Sequence, residues 1–193
     1  MKKNVSLKIT SSQYVENLKP SGEAFVRELE LEDSIEIQTE GTLYSKNNAV
    51  YIIYDESEEA GLMDLRTMLK LTQPQTSANS SADAVTYPDS DEATDLDSQA
   101  LFFSNPAAQS LQIRRYGKGA QEDDMEMVLQ QGVLNVTRYR LPHLGSMNLE
   151  IYTHSLSGDL DSEGYGTISV DYKIKFDQFY SRRNKLEVEV KPT

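Results

Sequence analysis

The sequence predicts an all-β domain, an antiparallel up-and-down barrel of about eight to ten strands. Three observations predict it. Apolar residues alternate with polar ones in nearly every segment. Turn-forming clusters, "SKNN", "GKGAQEDD", "QQG", "PHLG" and "SGDLDSEG", separate those segments. Helix is expected at most in short pieces, within "GEAFVRELELED". Alternation means one buried face and one wet face. Short turns make neighbours antiparallel. Closing the sheet on itself removes open edges, and a two-sheet sandwich is the rival arrangement.

The strands follow in chain order. "NVSLKIT" places Val5, Leu7 and Ile9 on one face. "DSIEIQTEGTLY" does the same with Ile35, Ile37, Thr39, Gly41 and Leu43. "NAVYIIYDE" gives Val50, Ile52, Tyr54 and Glu56, and "LRTMLKL" gives Leu65, Thr67, Leu69 and Leu71. "LQIRRYG" sets Leu111, Ile113 and Arg115 against Gln112, Arg114 and Tyr116, and "MEMVL" follows. "GVLNVTRYRL" offers Val133, Asn135, Thr137, Tyr139 and Leu141, with a competing apolar set at Leu134 and Val136. "SMNLEIYTH" gives Met147, Leu149, Ile151 and Thr153. "GTISVDYKIKF" is the cleanest, with Ile168, Val170, Tyr172, Ile174 and Phe176 on one side. "NKLEVEV" closes with Leu186, Val188 and Val190, for roughly ten short strands.

One segment breaks the pattern. Thr72 to Ser110 holds six acidic residues and no Lys or Arg, half of the net charge of −12. Its Ser, Asp, Ala and Pro content favours disorder. Residues 73–109 therefore read as a flexible acidic insertion between two strands of one domain spanning 1–193. "ALFF" at Ala100 to Phe103 is the exception, able to dock on the barrel or a partner, or to resume strand pairing.

Charge and composition exclude several function classes. A chain at −12 lacks the clustered Lys and Arg that bind a phosphate backbone, and an anionic membrane surface is disfavoured for the same reason. Without cysteine there is no disulfide, thiolate catalysis or cysteine-ligated zinc. "MKKNVSLKIT" lacks the apolar run of a signal peptide, so a cytoplasmic location is expected. "DLDSEG" starts like a calcium loop, but Val170 stands where the final bidentate Glu belongs. "EDDMEM" and "ESEE" read as charged turns. His143 and His154 are the two histidines and make a poor metal site. No metal and no cofactor are expected.

Several motifs carry a resemblance. "TEGTLYSKNNAVYIIYDESEEAGL", "TMLKL", "LQIRRYGKG", "TRYRLPHLGSMNLEIYT" and "VDYKI" together resemble the YwiB-like bacterial proteins, a domain of unknown function. The resemblance rests on Tyr54, Glu56, Ser57, Glu58, Gly61 and Leu62, on Thr67, on Arg115 and Gly117, and on Tyr139, Pro142 and Gly145. It implies a calycin-like, lipocalin-related β-barrel and brings no assigned activity. The long insertion and an extra segment around Glu16 to Leu31 depart from the family pattern.

The polar residues on apolar faces are the candidate site. Arg115 follows Leu111 and Ile113, Glu56 follows Tyr54, and Thr67 sits among leucines. A lone buried charge is expensive, whereas a carboxylate–guanidinium pair with further hydrogen bonds is tolerated. Glu56 and Arg115 are therefore expected to meet near one end of the barrel, ringed by the hydroxyls of Tyr54, Tyr139 and Tyr172 and by Thr67. One reading is an ion pair that fixes strand register. The other is that Arg115 holds the acidic group of a small anionic or amphiphilic ligand, since barrels of this size either fill with side chains or hold one small molecule. The leading expectation is a non-enzymatic ligand-binding barrel. A protein-interaction module with a filled barrel is the alternative, and an enzyme of unknown reaction comes third. The oligomeric state is not written in the sequence.

Overall fold

The computed structural model describes residues 2–21, 24–56, 65–73, 109–117, 125–141, 145–176 and 180–193; side chains at 24, 138–141 and 145–147 fall outside it. "ALFF", His143, Pro142 and residues 57–62 also lie outside the described residues.

Among the described residues, ten strands form one antiparallel sheet in the order β6-β5-β4-β3-β2-β1-β10-β9-β8-β7. They are β1 (Lys2–Ser21), β2 (Ala24–Lys46), β3 (Ala49–Asp55), β4 (Leu65–Thr72), β5 (Ser110–Gly117), β6 (Met125–Gln130), β7 (Leu134–Leu141), β8 (Gly145–Leu160), β9 (Gly166–Phe176) and β10 (Tyr180–Pro192). Each strand pairs with its chain neighbour except β6 with β7, and β1 joins β10. The ends of the sheet, β6 and β7, lie side by side without a ladder. There the Asn135 side chain donates to the Val128 carbonyl at 2.8 Å, and the Thr137 hydroxyl donates to the Glu126 carbonyl.

The core is the alternating set. Val5, Leu7, Ile52, Leu69, Leu71, Leu111, Leu129, Ile151, Ile168, Val170 and Val188 are all under 2 % exposed. Burying such side chains is worth about 1.5–3 kcal/mol each against leaving them wet. Gly41 interrupts the inner face of β2 for a packing reason. A Cβ there would sit 2.8 Å from Leu7 Cδ1 and 2.9 Å from the Ile53 carbonyl. The β2–β3 turn uses Asn47 and Asn48 at φ of 50° and 58°, the left-handed pair that a two-residue hairpin requires. In the "DLDSEG" turn, Asp161 Oδ1 accepts from the Glu163 and Tyr165 N–H groups at 2.8 and 3.0 Å. Its carboxylate therefore closes a turn, and those hydrogen bonds, that from Tyr165 first, hold it below the usual carboxylate range.

Two expectations are corrected. No helix forms in "GEAFVRELELED": its described residues belong to β2, paired from Ala24 with Ser21 of β1. The strands are also not uniformly short, since β1 has 20 residues and β2 has 23. Their distal halves form a two-stranded ribbon. β10 stops pairing with β1 at Tyr14, and β3 pairs with β2 only from Gly41 onward.

Strand direction fixes two ends. β1, β3, β5 and β9 all run toward the ribbon, because each is separated from the next by one antiparallel neighbour. The last residues of β3, β5 and β9 therefore gather at the ribbon end. The boundaries of the acidic segment, Gln73 and Gln109, lie at the opposite end, beyond the pair Thr72–Ser110.

Candidate functional site

Three of the expected polar residues stand in one row across the sheet. Tyr54 on β3 is paired with Thr67 on β4, and Thr67 is paired with Arg115 on β5. Because directly opposite residues in an antiparallel sheet share a face, all three point inward together. Glu56 lies one inward step beyond Tyr54, and its N–H bonds the Leu65 carbonyl at 3.0 Å, carrying the β3–β4 pairing one step further.

Glu56 is the buried member of the cluster, with its side chain 3 % exposed. The fully buried Thr67 hydroxyl donates to Glu56 Oε1 at 2.5 Å. Arg115 meets the same oxygen through Nε at 3.2 Å, while 35 % of its side chain stays exposed. That contact is ionic rather than a hydrogen bond. The N–H is not aimed at the oxygen, and Nε is buried without an acceptor among the described residues. A buried donor without a partner costs about 1–3 kcal/mol.

The tyrosines complete the ring. Burial pushes the Tyr54 hydroxyl well above its ordinary value, the nearby Glu56 charge adds to that, and Arg115 and the Thr67 contact pull the other way. Tyr172 on β9 is also raised by burial and is opposed by Arg115 across the interior. Both are neutral hydrogen-bonding groups at physiological pH. Tyr139 belongs to β7, and its side chain lies outside the described set.

Tyr54, Glu56, Arg115 and Tyr172 all line one cavity of about 310 Å³. Among the described residues, every strand except β7 contributes to its wall, and most of the lining is apolar: Ile9, Ile37, Leu69, Ile113, Met127 and Leu149 among others. Thr67 sits behind this wall, holding Glu56. Ser11 and Asn184 also line the cavity. Sequence reasoning missed both, although each continues an inward parity already established, Ser11 after Ile9 and Asn184 before Leu186. Thr153 was placed inward, and it is fully buried opposite Tyr172 with its hydroxyl unpartnered among the described residues. His154 stands apart from the cavity, at the β8 bulge, its ring edge-on to the exposed Tyr152 at 4.9 Å.

This arrangement defines an antiparallel β protein with an apolar interior cavity and a charged pair set into one side of it. The chain belongs to the family described as Domain of unknown function (DUF1934), whose model matches residues 24–84 and 72–188. Its fold is similar to the crystal structure of the ywiB protein from Bacillus subtilis, with a TM-score of 0.58 and 18 % sequence identity. That likeness covers 100 % of this chain and 93 % of the other. No curated protein matches the chain.

Proposed function

We propose that this chain is a calycin-like barrel, closed where β6 meets β7, that binds a small amphiphilic acid without chemically altering it. The observation that carries the reading is Arg115. Arg115 lines the cavity, its side chain remains one-third exposed, and its Nε is held 3.2 Å from Glu56 Oε1. A carboxylate or similar anion meets the exposed part of this side chain and matches the planar guanidinium fork. The apolar wall receives the rest of the molecule, and the neutral Tyr54 and Tyr172 hydroxyls orient the head group. Glu56, tied to Thr67, works as the anchor that positions Arg115. Closure is supported by the Asn135 and Thr137 contacts to β6 carbonyls and by a cavity wall drawn from both ends of the strand order.

Titration with 1-anilinonaphthalene-8-sulfonate, an apolar anion, tests this. The folded protein should give saturable one-to-one binding, and Arg115→Met should weaken it at least tenfold while melting as a cooperative unit. Native mass spectrometry of protein from its own host should also show a retained small acid. Equal dye binding by both forms, with no retained molecule, would remove the ligand role. A filled interaction module would then be favoured, for which the exposed apolar side chains of the ribbon are the supporting observation.

A further inference from the structure

The β1–β2 ribbon has features that the cavity does not explain. Among the described residues it is two-stranded beyond Tyr14 of β1, where β1 presents an unpaired edge from Val15 to Ser21, and β2 presents one from Ala24 to Glu40. Two-stranded ribbons are marginal in water, and three or more strands with an apolar face are needed for independent stability. One face of this ribbon is apolar and open. Leu18, Phe25 and Leu31 are 67 %, 73 % and 55 % exposed. A long exposed edge beside an apolar face is a template for pairing with another strand.

We infer that the occupant of this edge is a second copy of the chain, its β2 pairing antiparallel with the first across a two-fold axis at Glu28. Residues 25–31 lie on the tip side of the β1–β2 register shift, so their alternation is regular. With the axis at Glu28, Phe25 of each copy faces Leu31 of the other, and Arg27 faces Leu29. All four lie on the open face, and the two ribbons become one four-stranded sheet. A copy carrying the same net charge of −12 can approach here because cations offset part of the ribbon's acidity. Lys19 pairs with Glu28, Asn17 donates to Glu30 at 2.9 Å, and Arg182 holds Glu32. The two Glu28 carboxylates then sit at the axis between their own lysines. Isologous pairing of this kind closes the β2 edge about the two-fold axis.

The register makes the test specific. The full chain should sediment as a dimer, and Phe25→Lys or Leu31→Glu alone should halve the mass. The combination Phe25→Lys with Leu31→Glu should restore the dimer, because each new lysine meets the other copy's new glutamate. The chain has no cysteine, so Glu28→Cys should give a covalent dimer on mild oxidation. Phe25→Cys should not, since its two copies would lie about 20 Å apart along the strands. A chain that stays monomeric at about 100 µM, a double substitution no more dimeric than the singles, or equal cross-linking at the two positions would overturn the proposal.

Discussion

At the residue scale the pair has two unequal halves. Glu56 is buried and hydrogen-bonded, whereas Arg115 is partly open and approaches it through Nε at 3.2 Å. Removing Arg115 leaves a carboxylate in an apolar wall without its cation. For a fully buried pair that costs about 3–5 kcal/mol; with Arg115 one-third exposed, solvent screening reduces the expected loss to about 2 kcal/mol. Denaturant unfolding of Arg115→Met checks this. Glu56→Gln added to it should recover more than half of the loss, since the uncompensated charge goes too. No recovery would mean that Arg115 stabilises by packing. The tyrosines give a second prediction. Burial raises Tyr54 and Tyr172 above their ordinary value, so the unfolded chain releases these protons first as pH rises. Their stabilisation is complete below about pH 10 and is lost above it, by at most about 1.4 kcal/mol per pH unit for each group. Tyr54→Phe or Tyr172→Phe should flatten that alkaline decline in thermal melts. Alternation alone was enough to place Glu56, Arg115, Thr67, Tyr54 and Tyr172 on inner faces. It could not show that Thr67 stands between Tyr54 and Arg115, because that depends on register, nor that Arg115 Nε lies 3.2 Å from Glu56.

At the element scale the seam between β6 and β7 is held by side chains in place of a backbone ladder. Asn135 and Thr137 donate to main-chain oxygens of β6. Each such hydrogen bond contributes about 0.5–1.5 kcal/mol. Asn135→Leu with Thr137→Val should therefore cost about 2 kcal/mol and speed amide exchange selectively in β6 and β7. Uniform exchange across all strands would show that the seam opens only with the whole sheet. Sequence legibility divides along the same elements. β9 and β10 were clear because their apolar sets face a core on one side. The ribbon was not. "AFVRELELE" is rich in helix-favouring Glu, Leu and Arg, and Phe25, Val26, Leu29 and Leu31 fit helical spacing nearly as well as alternation. Pairing with β1 from Ser21 to Gln13 decided the matter, a tertiary effect that local propensity does not contain. β7 carried a similar ambiguity. Val136 is 48 % exposed, while Asn135 and Thr137 turn toward β6, so its apolar residues were a poor guide to its inner face.

At the scale of the whole molecule the antiparallel strand order separates two regions. Glu56, Arg115 and the ribbon belong to one end, and the boundaries of the acidic segment belong to the other. Those boundaries already meet. Thr72 pairs with Ser110, the Gln109 side chain donates to Gln73 Oε1 at 3.4 Å, and Asn48 bonds the Gln73 carbonyl at 2.9 Å. Replacing residues 74–108 with Asn-Gly gives β4 and β5 the two-residue turn their register accepts. Closing a short loop rather than a long one saves about 0.6 kcal/mol per halving of length, about 2 kcal/mol in all. The shortened chain, with six fewer carboxylates, should melt no lower than the full one and up to several degrees higher. Dye binding at Arg115 should be unchanged, because the excision lies at the far end of the strands. Differential scanning calorimetry and the same anilinonaphthalene titration decide between outcomes. A fall in Tm of more than about 5 °C would show that the segment contributes to the folded core. An unchanged Tm with lost binding would show instead that it acts on the cavity from the opposite end.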